Sequence, residues 1–224
     1  MNEIIEMKDI LKDWQKQFPI LSRYSSTSLY MKADLVLLGL KLEKVFSTVY
    51  RPTLICLPLW EKSKKTIPIF WCELLDNKKL QFDIKYQLHN YLFPAAIECA
   101  KIQFGFVFKE EVLLSDLFFY LNKYLSYRLL ENDPLILYRL FEFKLAIALY
   151  FDDLKLIDNI KIEIEKESKL WEPERFKYLF EKSIEEWKDD LYRKFENRDT
   201  FIEQLNQNVS DKKISKLKSA HLLF

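Results

Sequence analysis

The chain has 224 residues, 49% of them hydrophobic and 16% aromatic, with 35 basic against 34 acidic side chains and two glycines. A chain of this length buries enough surface to fold without disulfide or metal staples. Its balanced charge, +3 over residues 1–150 and −2 over the remainder, lacks the basic excess with which nucleic-acid binders neutralise phosphates.

In chain order, Ile4, Met7, Leu11, Trp14 and Phe18 recur every three or four residues, predicting an amphipathic helix over 2–17, capped by Asn2 and ended before Pro19. A Ser-rich loop over 22–28 leads into residues 29–50, whose apolar positions suit either period and are read as extended. Thr53–Trp60 and Ile67–Leu75 are short apolar runs broken by prolines, as at strand ends and sheet edges. After a turn at Asp76–Lys79, Leu80, Phe82, Ile84 and Tyr86 alternate with polar residues, so 67–87 reads as a β-hairpin with one solvated face.

Residues 94–102 suit a short helix and 104–108 a strand. Ser115, as an N-cap, and Asp133-Pro134, as an N-cap followed by proline, open helices over about 116–130 and 134–151. The second is apolar nearly all round and belongs at the centre of the helical part. Further helices are expected over 153–171, from Pro173 along a single stripe running from Phe176 to Phe195, from a Thr200/Glu203 capping box, and over 211–221. The fold class is thus α+β: an N-terminal helix and antiparallel strands over 1–112, then an all-helical part over 113–224, packed as one unit.

Two glycines exclude much. Phosphate-cradling loops need glycine where backbone amides approach the ligand. Gly39 and Gly105 are 66 positions apart, so a Walker A loop, a dinucleotide fingerprint, a kinase glycine loop and a Gly-x-Ser-x-Gly elbow cannot be written on this chain. No Cys-x-x-Cys or His-Glu-x-x-His occurs. The histidines, His89 and His221, read as a polar group satisfying the hairpin end and as an exposed residue near the terminus. Cys56, Cys72 and Cys99, odd in number and set in apolar stretches, read as buried free thiols of a reducing compartment. With no secretory leader at residues 1–9 and no apolar run near the ~20 residues of a membrane span, the expected location is the cytoplasm. The excess of Lys over Arg, with plentiful Ile and Asn, fits an AT-rich microbial genome.

One pattern carries possible chemistry. Asp83 and Lys85 alternate onto one strand face, with Asp76 at the turn and Glu6 on the first helix. This stretch of about 20 residues resembles restriction-endonuclease-like nucleases. The resemblance implies acidic residues that hold Mg²⁺ while the lysine orients water or phosphate. Acidic-x-Lys nevertheless occurs eight times in the chain, and alternating charges ordinarily mark a solvated strand face. Adjacent carboxylates such as Asp189-Asp190 point about 100° apart on a helix and simply solvate it.

Large aromatics anchor interfaces as well as cores. Trp14 and Trp187 fall on inward stripes, whereas Trp60, before Glu61-Lys62-Ser63-Lys64-Lys65, and Trp171, before Pro173, are expected at the surface. The terminal Ile214, Leu217, Leu222, Leu223 and Phe224 suit docking on a partner, on an anionic membrane surface or back on the domain. The preferred reading is a non-enzymatic protein-binding module of immunity, antitoxin or adaptor type. It needs no cofactor, and its partner is another protein or a second copy of itself. The alternative is the Mg²⁺-dependent nuclease centred on Asp83 and Lys85.

Overall fold

The apolar run Val36-Leu37-Leu38-Gly39-Leu40 is buried at every position, the pattern of a strand covered on both faces rather than one. It opens β3 (Val36–Phe46), the longest strand of a curled, mostly antiparallel sheet in a computed structural model that describes residues 6–62, 67–130 and 132–224. Around it stand β1 (Ser22–Arg23), β2 (Ser28–Ala33), β4 (Val49–Pro58) and β5 (Phe70–Glu73). Further along the chain come β6 (Ile84–Lys85), β7 (Glu111–Leu113) and β8 (Ser219–Leu223). The strand order is β5-β4-β3-β2-β8-β7, with β1 paired to β2 and β6 to β4. Gly39 sits opposite Tyr30, where an added Cβ would come within 2.0 Å of the Leu29 carbonyl oxygen. The glycine is there for close packing of β2 on β3.

The expected N-terminal helix is α1 (Met7–Gln17), with Ile10, Leu11 and Trp14 buried; the Asn2 cap lies outside the described residues. The extended reading of 29–50 holds as β2 and β3. They are joined by a two-residue turn in which Asp34 takes a positive φ of 46°, a conformation an aspartate tolerates. The hairpin over 67–87 is reduced to a reversal closed by one bridge, Leu75 to Gln81. Its arms pair with β4 instead, β5 against residues 53–56 and β6 against 49–50, because β4 is long enough to take both.

Residues 104–108 are not a strand: Phe104 ends α2 (His89–Phe104) and a turn follows. Among the described residues there follow α3 (Leu114–Tyr127), α4 (Pro134–Tyr150), α5 (Leu154–Ser168), α6 (Pro173–Phe180), α7 (Ile184–Lys194) and α8 (Arg198–Val209). Ser115 lies inside α3, which starts directly from β7. Asp133 and Pro134 open α4 as expected, the Asp133 side chain accepting from the Leu135 N–H. The single stripe expected from Pro173 is broken into two helices. Glu181 turns left-handed, at φ 57°, and Ser183 with Glu186 forms a reciprocal capping box that restarts the chain. The cap of α8 is Asn197, which accepts from the Thr200 N–H, and not Thr200 itself.

The last segment is the clearest correction. Residues 211–217 are turns and 219–223 form β8 rather than a helix, so the C-terminal half is mostly but not wholly helical. β8 runs parallel to both β2 and β7 and lies between them, with Ala220 and Leu222 buried. The Asp34 carboxylate at the β2–β3 turn accepts from the Leu222 N–H at 2.7 Å and lies 3.2 Å from His221 Nδ1. Lys218 Nζ donates to the Pro19 carbonyl at 2.7 Å. Of the docking alternatives for the tail, this one is its own domain. α4 is central as expected, buried from Arg139 to Phe143 and from Leu145 to Leu149.

Candidate functional site

Of the four residues of the Asp-x-Lys pattern, none stands free in a shared cleft. Asp83 is engaged by Arg51, whose Nε and Nη2 donate to the two carboxylate oxygens at 2.7 and 3.0 Å; this fork neutralises the charge a cation would need. Asp76 is consumed by its own turn, its Oδ1 accepting the N–H groups of Lys78 and Leu80 at 2.8 and 2.9 Å. Glu6 is the exposed N-cap residue of α1, and Lys85 is exposed on β6. Among the described residues, no group of three or more His, Cys, Asp or Glu side chains is placed to hold a metal ion.

Trp60 and Trp171 were expected outside and are inside, 5% and 6% exposed. Trp60 stacks on Phe143 at 6.5 Å and touches Phe195 and Phe201. Trp171 stacks on Phe176 at 5.3 Å and packs on Trp187. A loop position gives no periodicity from which inward orientation can be read, and ring size then decides for burial. Phe224 is 65% exposed, its ring edge-on to Phe151 at 4.8 Å.

Two buried polar clusters escaped the sequence reading. In the first, His89 is 1% exposed, its Nδ1 2.8 Å from the Tyr50 hydroxyl and its Nε2 3.4 Å from Asp13 Oδ2. The Trp14 indole N–H also reaches Tyr50 Oη at 3.4 Å. Burial pushes the imidazole pKa down, and the Asp13 hydrogen bond opposes this only in part; burial likewise drives the Tyr50 hydroxyl well up. This neutral chain joins α1, β4 and α2. In the second, Arg139 of α4 donates to Glu61 at 2.8 Å and to Glu142, while Lys194 of α7 donates to Glu142 at 2.6 Å. Arg139 also donates to the Ile67 carbonyl at 2.6 Å. A sequence signal for this cluster existed: Arg139, Glu142 and Lys144 are the only charges on the otherwise apolar α4.

An open concavity with an apolar lining lies elsewhere. α3, α4 and α5 leave between them a groove of about 400 Å³ floored by Leu114, Phe118, Ile147, Leu156 and Ile160, with Phe224 forming one wall. Lys144 and Glu163 pair across its rim at 2.5 Å. β8 positions the Phe224 wall, because the strand delivers the last residue to the start of α3 through its pairing with β7. Exposed Leu113, Phe119, Leu154 and Ile162 flank the groove residues in sequence. The floor was legible as helix stripes, but their convergence with the C-terminus was not. No known protein family, curated protein or solved structure matches the chain. No helix among the described residues is long and apolar enough to cross a membrane.

Proposed function

We propose that this protein is a cytoplasmic protein-binding module that works by presenting shape, and that the groove between α3, α4, α5 and Phe224 is its contact surface. The observation that carries this reading is the apolar groove itself, walled by a largely exposed C-terminal aromatic ring. Contiguous exposed apolar surface of this kind marks interaction sites in soluble proteins. A concavity of this size accepts one or two apolar side chains as anchors, and aromatic residues at such positions carry most of the affinity in protein interfaces. The Lys144–Glu163 pair on the rim would orient a partner more than attract it.

The test uses groups that point outward, so that folding is spared. Tagged full-length chain is recovered from its native host beside a double variant of two exposed groove-lining residues, Asn159→Glu/Phe224→Glu, and a Tyr178→Glu control on α6. A stoichiometric protein partner, identified by mass spectrometry and reconstituted from purified components, should bind the parent and the control and lose at least tenfold in affinity with the double variant. Equal binding by all three forms rejects the groove as the contact surface.

A further inference from the structure

The strand β5, at one end of the sheet order, meets the end of α3 and the start of α4 in a slot of about 160 Å³, close to the size of a cavity that takes a benzene ring. Leu121, Leu125, Leu130, Ile136 and Leu140 give the slot an apolar interior, and two charged side chains, Glu73 and Arg128, line it as well. Alternation along β5 turns Trp71 and Glu73 away from the buried Phe70 and Cys72. On that face the Glu73 carboxylate accepts from the Tyr124 hydroxyl and, at 3.3 Å, from Gln81 Nε2. Tyr124 is 7% exposed, and burial drives its pKa up, so that it keeps the proton it donates. These donors are neutral. Arg51, two positions along β4 from the register partner of Glu73, is spent on Asp83, and among the described residues no ion pair holds Glu73. A half-buried carboxylate against apolar walls, held only by neutral donors, gains from an ammonium group that enters beside it.

Arg128 supplies the opposite pole. It follows Tyr124 by four residues, so it lies about one helical turn along the same face, and it is exposed, with no carboxylate paired to it among the described residues. Its guanidinium is suited to a carboxylate. We infer that the slot binds a free α-amino acid with an apolar side chain, the ammonium on Glu73, the carboxylate on Arg128 and the side chain among the leucines. Charge selects this occupant. An amine alone leaves Arg128 unused, an apolar acid meets Glu73 with like charge, and a residue within a peptide lacks both poles. The slot shares no lining residue with the groove that Phe224 walls, so the two readings stand separately.

Titration of the full chain with L-leucine, followed by NMR, should give a dissociation constant of about 1 mM or below. Isocaproate, which is leucine without its ammonium, and isoamylamine, which is leucine without its carboxylate, should each bind about tenfold more weakly. Glu73→Gln keeps an acceptor for Tyr124, and should weaken leucine about tenfold while leaving isocaproate bound no more weakly than before. Arg128→Met, at an exposed position, should weaken leucine and leave isoamylamine unchanged. A general loosening of the slot would instead weaken all three probes together. No saturable shift with leucine up to about 20 mM, leucine bound no better than either single-pole probe, either variant binding leucine as tightly as the parent, or a variant that weakens all three probes alike overturns the inference.

Discussion

The two buried polar clusters join neighbouring elements by opposite electrostatics. Around His89 the groups are neutral: Tyr50, Trp14 and an imidazole held unprotonated by burial, with the Asp13 carboxylate at the wetter end. Around Arg139 they are ionic, with Glu61, Glu142 and Lys194 surrounding a guanidinium. Burial disfavours its charge, but the two carboxylates outweigh that effect and hold its pKa up. A neutral chain can be shortened by one hydroxyl at the expense of one hydrogen bond. An ionic cluster cannot lose its centre without stranding like charges in a dry interior. Uneven sensitivity to mutation is the consequence, with the helical part far less forgiving than the α1–α2 junction.

The largest effect is therefore expected from Arg139→Met, which leaves Glu142 and Glu61 facing each other with Lys194 alone to compensate. Breaking a buried pair at one partner costs about 3–5 kcal/mol, which a urea titration would read as a drop in midpoint. Adding Glu142→Gln to that variant should restore part of the loss; no recovery in the double variant would mean that packing rather than charge dominates the cluster. Tyr50→Phe should be milder, about 1–2 kcal/mol, because it strands His89 Nδ1 and the Trp14 indole N–H without creating a buried charge. A loss as large as that of Arg139→Met would erase the distinction between the two clusters.

The neutral cluster also makes a pH prediction. Burial holds the folded-state pKa of His89 below the ordinary histidine value of about 6.5, so below that pH the unfolded chain takes up a proton that the folded chain refuses. Its contribution is fully present above about pH 6.5 and is lost as pH falls from there toward the lowered folded value. Comparison of unfolding free energies at pH 7.5 and 5.5 should show a steeper fall for the parent than for His89→Asn; equal slopes would remove His89 from the account. The smallest effect is expected at Arg51–Asp83, where Asp83 is 37% exposed and an exposed ion pair contributes less than about 1 kcal/mol. Asp83→Asn should leave the melting temperature nearly unchanged. Finding Mg²⁺-dependent cleavage of DNA or RNA by the parent, lost in this variant, would revive the nuclease alternative.

Local chemistry wrote itself plainly wherever neighbours in sequence are neighbours in space. Asp133-Pro134 fixed the start of α4, and the stripe through Leu11 and Trp14 fixed the inward face of α1, to which the fold adds Ile10. The cap of α8 is legible in kind but displaced, since the spacing points to Thr200 whereas Asn197, three residues earlier, does the capping; the box of Ser183 and Glu186 interrupts a stripe that the spacing runs straight through. The candidate groove was half legible: Phe224 stood out, but its floor comes from three helices whose approach no spacing encodes.

From the sequence alone came the α+β class, the central place of the apolar α4, the extended run over 29–50 and the absence of phosphate loops, because periodicity and glycine content act residue by residue. Only the tertiary structure decided that the last strand threads between β2 and β7, that Trp60 and Trp171 turn inward, and that Asp83 is tied to Arg51. Apart from Trp171, whose ring partners Phe176 and Trp187 are 5 and 16 positions on, each of those outcomes depends on a partner between about 30 and 190 positions away. A strand, a ring or a carboxylate takes the partner that the whole chain brings to it, and that is settled by packing and not by pattern.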